Sequence, residues 1–240
     1  MKKILFFGVG HLGNIFLKQN KLHSIIGTKR SADANLGSPI IPYSLGDSWI
    51  GPTDFDVVII SFPPSENYAK KIEALVKNFH SKTQIIFISS TSVFGDGLIN
   101  EMSEREGQAR NARELILCEN HIKARDNYLI IRPGGLIDEN RHPKNFLRKM
   151  NSVASSQTNV NLVHTSDVAS FIHFAIEKNL INEDYNLVCD AHPTKEEFYG
   201  HFHLDLTYNH EGSKLRIIEN SKSKSTGFKY NFGDLDWTRN

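Results

Sequence analysis

Lys3-Ile4-Leu5-Phe6-Phe7 runs into Gly8-Val9-Gly10-His11-Leu12-Gly13 and then into Asn14-Ile15-Phe16-Leu17. The first run has strand length. From Leu12 onward the apolar positions Leu12, Ile15 and Phe16 recur at helical spacing, so the glycines occupy a strand-to-helix turn. Gly8 permits a tight bend, Gly10 lets the backbone approach a pyrophosphate, and Gly13 lets the helix close onto the strand. The helix start offers unpaired N–H groups and a partial positive charge to phosphates, with His11 and Leu12 as the residues next to them. A glycine turn alone is a weak signal; one flanked by strand and helix predicts a dinucleotide site.

Outward from this unit, apolar runs alternate with amphipathic segments, the pattern of a parallel sheet between helical layers. The spacing predicts strands over 3–7, 23–26, 40–43, 56–61, 84–89 and 128–132, and helices over 12–20, 65–80, 109–125, 166–178 and 194–203. Ser65, after Pro63-Pro64, is the expected N-cap of the second helix. Residues 31–52 form the least regular stretch. The expected fold is α/β: a Rossmann-type doubly wound parallel sheet with a small carboxyl-terminal substrate lobe. Residues 1–133 would form the nucleotide-binding part and 134–240 the lobe and sheet-completing segments of one structural unit.

Charge is nearly balanced, with 28 basic and 27 acidic residues among 240, which gives no electrostatic reason to expect nucleic acid or an anionic membrane as partner. Two cysteines, Cys118 and Cys189, are too few for a disulfide scaffold or a four-cysteine zinc site. No run approaches the roughly 20 apolar residues that span a bilayer. The apolar start ends in the glycine turn with no small-residue cleavage site, so the expectation is a cytoplasmic protein with a small-molecule partner.

An NAD site usually carries Asp or Glu at the end of the second strand, to accept from the ribose hydroxyls. Here that place reads Thr28-Lys29-Arg30-Ser31. Two cations and two hydroxyls suit a 2′-phosphate, so the expected cofactor is NADP, with NAD left open.

With these residues and Ser89-Ser90-Thr91-Ser92-Val93-Phe94-Gly95-Asp96 in view, the chain resembles extended and atypical short-chain dehydrogenases, in the YeeZ-like branch of the NAD-dependent epimerase/dehydratase proteins. Ile131-Arg132-Pro133-Gly134-Gly135-Leu136, Val163-His164-Thr165-Ser166-Asp167-Val168-Ala169 and Tyr185-Asn186-Leu187-Val188 extend the likeness over almost the whole chain. The resemblance implies that Ser61, Phe62, Pro63 and Ser89 line the cofactor and that Ser90 holds the catalytic serine or threonine place. Phe94 replaces the family's tyrosine four residues on.

Hydride-transferring members of that family use a Tyr-x-x-x-Lys pair on the next helix. Aligned on Glu119, the tyrosine place holds Asn111 and the lysine place Leu115. Asn111 has no proton to exchange near neutral pH, and Leu115 has no charge to offer the ribose. Ser90, Glu101, Glu104 and His164 are the remaining candidates for a group in the cleft. Asp167 reads as a helix-start charge after the capping candidates Thr165 and Ser166. His201 and His203, two apart on an expected helix, diverge around its axis, and no metal site is expected. Lys222, Lys224 and Lys229 read as solvated charges.

Two functions fit these residues. One is an NADP-dependent epimerase, dehydratase or oxidoreductase acting on a nucleotide-sugar or another small polar carbonyl or alcohol, the substrate class following from the resemblance alone. The other is an NADP(H)-binding sensor or regulatory protein without turnover. A third, a fold kept for protein interaction, needs a vacant site. Monomer and homodimer both remain open.

Overall fold

The computed structural model describes residues 1–31 and 37–239; residues 32–36 of the irregular stretch lie outside the described residues. The first half of the chain carries β1 (Lys3–Phe7), α1 (His11–Gln19), β2 (Ser24–Lys29), β3 (Ile40–Pro42), β4 (Val57–Ile60), α2 (Tyr68–Val76), β5 (Gln84–Ile88), the short β6 (Gly97–Ile99) and α3 (Ala112–Lys123). Then follow β7 (Tyr128–Pro133), β8 (Gly135–Ile137), α4 (Pro143–Leu147), β9 (Ser152–Val153), β10 (Leu162–His164) and α5 (Thr165–Glu177). The chain continues through β11 (Glu183–Leu187), α6 (Lys195–Gly200), β12 (Thr207–Tyr208), β13 (Arg216–Ile218) and α7 (Ser221–Ser225).

Seven strands form one parallel sheet in the order β11-β7-β5-β4-β1-β2-β3, the expected doubly wound arrangement. Successive side chains point to opposite faces, so the apolar strands feed two cores. Ile4, Phe6, Ile59, Ile86 and Ile131 pack with α1 and α5; Leu5, Phe7, Val58, Ile60 and Phe87 pack with α2 and α3. Each fully buried side chain of this size contributes about 1.5–3 kcal/mol relative to exposure. Every residue of β4 and of β5 is buried, which explains their unbroken apolar runs.

The seventh strand, β11, was not among the expected strands. Its sequence, Glu-Asp-Tyr-Asn-Leu, has no clear apolar alternation, because Asp184 and Asn186 face the interior. Asp184 belongs to a buried ion cluster. Arg132, fully buried in β7, donates twice to Glu119 of α3 at 2.8 Å and once to Asp184 at 2.7 Å. Arg105 also donates to Glu119, and Lys123 pairs with Asp184. Burial works against the charge of Arg132, but the bonds and charges of Glu119 and Asp184 outweigh it and raise the guanidinium's pKa. The guanidinium also lies 5.1 Å from the centroid of the Phe94 ring.

Ser65 does not cap α2. The helix begins at Tyr68, preceded by Asn67 with φ of 53°, and the chain turns at residues 66–67 after the prolines. The left-handed conformation, which asparagine tolerates better than most residues, reverses the chain after Pro64. The Tyr68 hydroxyl donates to the Phe62 carbonyl at 2.8 Å, fixing the strand end to the helix start. Near the carboxyl terminus, Thr194 and Glu197 form a reciprocal capping box at the start of α6.

A third, smaller core gathers Ile137, Leu147, Val160, Cys189, Phe198, Phe202 and Leu235, and the parallel pairs β8·β10, β9·β12 and β6·β13 form separate two-stranded ladders, the last adding Ile99 and Ile218 to the second core. Both cysteines are buried free thiols, Cys118 in the α3 layer and Cys189 in this third core. Burial pushes the Cys118 thiol up to about 12 and the Cys189 thiol to about 11. Among the described residues no helix is long and apolar enough to cross a membrane.

Candidate functional site

The glycine turn is built as its residue types require. Gly8 has φ of +79°, and a Cβ there would sit 2.9 Å from the Ser61 carbonyl oxygen and from the Phe62 ring. A Cβ at Gly13 would lie 2.9 Å from the Phe6 ring, so the helix rides directly on β1. At Gly10 the nearest atom to such a Cβ is 3.9 Å away, leaving open space over the start of α1. No side chain caps that helix and no acidic residue stands in its first turn, so its leading N–H groups and dipole face this space.

Thr28 is fully buried, and its hydroxyl accepts the Gly8 N–H at 3.2 Å, while its carbonyl accepts the Val9 N–H at 2.8 Å. Its hydroxyl therefore holds the glycine turn and is not open to a ligand, a correction to its expected place among the ligand-binding residues. Lys29, half-buried, ends β2 beside the turn, and Arg30 follows it, exposed.

A cleft of about 500 Å³ opens at the carboxyl edge of the sheet. Gly8, Gly10, His11 and Leu12 form one wall; Ser61, Phe62 and Pro63 after β4, and Ser89 and Ser90 after β5, form another. Asn111 and Leu115 of the α3 start also line it. Gly13, Thr28, Lys29 and Arg30 do not. The Ser89 hydroxyl donates to buried Glu119 at 2.6 Å, so the inner wall is tied to the ion cluster. Ser90 accepts the Ser92 N–H at 3.1 Å and thereby caps the 3-10 turn Thr91–Val93. Asn111 is exposed, stands just before α3 and makes no capping bond.

His11 and Arg141 are the two ionisable side chains among the described residues that line this cleft. His11 Nε2 lies 2.5 Å from Asp138 Oδ2, linking the first residue of α1 to the loop after β8. Asp138 also accepts from the Thr165 hydroxyl and from the backbone N–H groups of Asn140 and Arg141. Burial opposes its charge, but the bonds from Thr165, His11 and Arg141 outweigh it and hold the carboxyl below the usual carboxylate range. Neither Asp138 nor Arg141 was among the candidates; both lie in a polar run that reads as surface loop.

The other ionisable candidates do not reach the cleft. Glu101 accepts the Asn186 N–H at 2.8 Å, Glu104 is exposed away from the cleft wall, and His164 is buried and stacked on Phe232 at 3.7 Å between ring centres. The N-cap of α5 is His164, not Thr165 or Ser166. Asp167 lies in the first turn of α5 as expected, but it is fully buried. It accepts the backbone N–H groups of Asn231 and Phe232, each at 2.9 Å, and so fastens the carboxyl-terminal segment. Lys222 and Lys224 pair with Glu183 and Asp190.

A larger cavity, about 760 Å³, adjoins the cleft and shares Ser90, Ser92 and Gly134 with it. An elongated site at the carboxyl ends of the parallel strands, completed by a lobe, is where open α/β sheets bind their ligands.

No model of a known protein family matches the chain. Protein YeeZ of Escherichia coli strain K12 is 28% identical over an alignment of 268 positions, gaps included, that covers 98% of this chain and 97% of YeeZ. Human epimerase family protein SDR39U1 (isoform 2), solved with NADPH, superposes with a TM-score of 0.77 at 12% identity, covering 97% of this chain and 96% of that one. The chain shares the fold of that epimerase family protein. The UDP-N-acetylglucosamine 4-epimerase of Bacillus cereus aligns with this chain at a TM-score of 0.75 and 18% identity, covering 97% of this chain and 95% of that one. At these identities the two solved structures speak for the fold alone, while YeeZ adds likeness of sequence along the full length.

Proposed function

We propose that this chain binds NADP(H) in the 500 Å³ cleft and uses it on a small polar carbonyl or alcohol, a nucleotide-sugar being the class suggested by the relatives. The observation that carries the cofactor is the open space over Gly10, faced by the start of α1, which no side chain caps and whose own first turn holds no acidic residue. A pyrophosphate fits there, held by backbone N–H groups and the helix dipole. Preference for NADP over NAD rests on Lys29 and Arg30, which follow the turn-holding Thr28 in place of the carboxylate that would accept from a ribose. Phe62 and Pro63 supply apolar wall, and Ser89, Ser90 and Asn111 the polar one. When bound, the nicotinamide supplies or takes up hydride. SDR39U1, solved with NADPH, supports the reading by its shared fold.

Titration calorimetry with NADPH and NADH tests the cofactor. NADPH binds more tightly, and Arg30→Asp weakens NADPH far more than NADH. Equal losses for the two nucleotides would overturn the NADP assignment, and no binding of either would overturn the whole reading.

A second reading, a dinucleotide sensor without turnover, draws on the cleft's poverty in proton-transfer groups. Asn111 and Leu115 stand in the tyrosine and lysine places, and His11, the cleft's one imidazole, is bonded to Asp138. Stopped-flow NADPH oxidation over a panel of carbonyl compounds separates the two: steady turnover with any member favours the enzyme, and tight binding with silence across the panel favours the sensor.

A further inference from the structure

The 760 Å³ cavity beside the cofactor cleft has a lining unlike that of the cleft itself. Arg216, the first residue of β13, is half-buried on its wall. Its Nη2 donates to the Thr91 carbonyl at 2.7 Å and its Nε to the Gly95 carbonyl at 3.2 Å. Two main-chain acceptors thus orient the guanidinium without neutralising it. Among the described residues no carboxylate comes within ion-pairing distance of Arg216; Asp96, on the same wall, is bonded to Lys214 at 2.8 Å. Burial pulls the Arg216 pKa down, and the charge of Asp96 offsets this only in part. Lys195, bonded to the Ala154 carbonyl, and Lys214 add two further cations to the wall.

The rest of the lining bears on what accompanies that anion. Hydroxyls and amides come from Ser92, Ser155, Thr158 and Asn161, and Glu106 adds a second carboxylate besides the Lys214-bonded Asp96, leaving the three cations in excess. Among the described residues Phe94 is the one aromatic residue lining the cavity. It is 3% exposed and already carries the Arg132 guanidinium at 5.1 Å from its ring centre. A nucleobase is commonly held by stacking on a free aromatic ring, and among the described residues this cavity offers none.

We propose that the cavity takes a phosphorylated sugar or polyol that carries no nucleobase. The phosphate sits against Arg216 with Lys195 and Lys214 around it, the hydroxyls meet Ser155 and Thr158, and the far end reaches the cofactor cleft past Ser90. This assignment rests on the proposed NADP(H)-dependent function and narrows its substrate away from nucleotide-sugars.

The test is binding of glucose 1-phosphate, ribose 5-phosphate, UMP and UDP-glucose to the full chain, each measured by ³¹P line broadening with and without NADPH. The two sugar phosphates bind, UMP and UDP-glucose bind no tighter, and Arg216→Gln weakens sugar phosphate binding by about ten- to a hundredfold, the loss of a hydrogen bond to a charged group. Unchanged NADPH affinity in the variant verifies its fold. If Arg216→Gln does not fold, Lys214→Gln at an exposed position serves instead, with an expected loss of about two- to fivefold. UDP-glucose or UMP binding about tenfold tighter than both sugar phosphates overturns the proposal, as do variants without effect or sugar phosphates that do not bind. Sugar phosphate binding that persists although NADPH fails to bind would overturn the cofactor reading and leave the anion site standing.

Discussion

At the residue scale, the glycine turn gives the sharpest expectations. Gly13→Ala pushes a methyl into the Phe6 ring at 2.9 Å. This overpacking costs about 1–3 kcal/mol, readable as a lower urea midpoint, together with weaker NADPH binding because α1 must lift from β1. Arg132→Met leaves Glu119, fully buried, with only Arg105 and Ser89 as partners. The expected loss is about 3–5 kcal/mol in chemical unfolding, and Arg132→Met combined with Glu119→Leu recovers part of it. A loss below about 1 kcal/mol for the single change would mean that the cluster relaxes around the hole. Asp138 gives a pH signature. Its folded carboxyl lies below its unfolded value, so its contribution is full above the unfolded pKa, about 3.9, and is lost as the pH falls through the folded pKa. Asp138→Asn is therefore less stable at pH 6 but converges on the parent in strong acid; parallel stability curves would contradict this. The roles of Gly8 and Gly13 were legible because glycine has few reasons to stand at such positions. The inward turn of the Thr28 hydroxyl and the partners of Asp138 were not, because both depend on contacts between segments far apart in the chain.

Elements show the same division. β4 and β5 announce themselves as unbroken Val, Ile and Phe runs, since both of their faces are covered. β11 does not, because its interior positions Asp184 and Asn186 are polar: Asp184 is held by the Arg132 cluster, and the Asn186 backbone N–H by Glu101. Asp167 in α5 illustrates how a plausible local reading misses a distant partner. Its position in the first turn suits the helix dipole, yet its two oxygens are taken by Asn231 and Phe232. Asp167→Ala should free the segment from about residue 228 onward, seen as faster amide exchange and proteolysis there while β1, β4 and β5 stay protected. Uniform exposure of the whole chain would instead make this clamp part of the global core.

On the scale of the whole molecule, the order of the sheet argues against cutting the chain where its sequence changes character. β7 ends at Pro133, but its neighbour β11 and the α5 layer over Ile4, Phe6 and Ile131 come from beyond that point. A fragment of residues 1–133 should therefore lack cooperative unfolding and near-ultraviolet dichroism; a stable, cooperative fragment would show that the six sheet strands it contains, β1–β5 and β7, suffice. The alternation of strand and helix made the doubly wound sheet readable, whereas the lobe, built from ladders of two or three residues, left almost no periodic signal. The two thiols offer a last consequence. Each is sealed in a different core, and neither ionises readily while it remains there. An alkylating reagent can reach Cys118 only when the α3 layer parts and Cys189 only when the lobe does, so the unmutated chain carries two chemical clocks. Comparing their rates, with and without nucleotide, times the opening of sheet and lobe separately within one molecule.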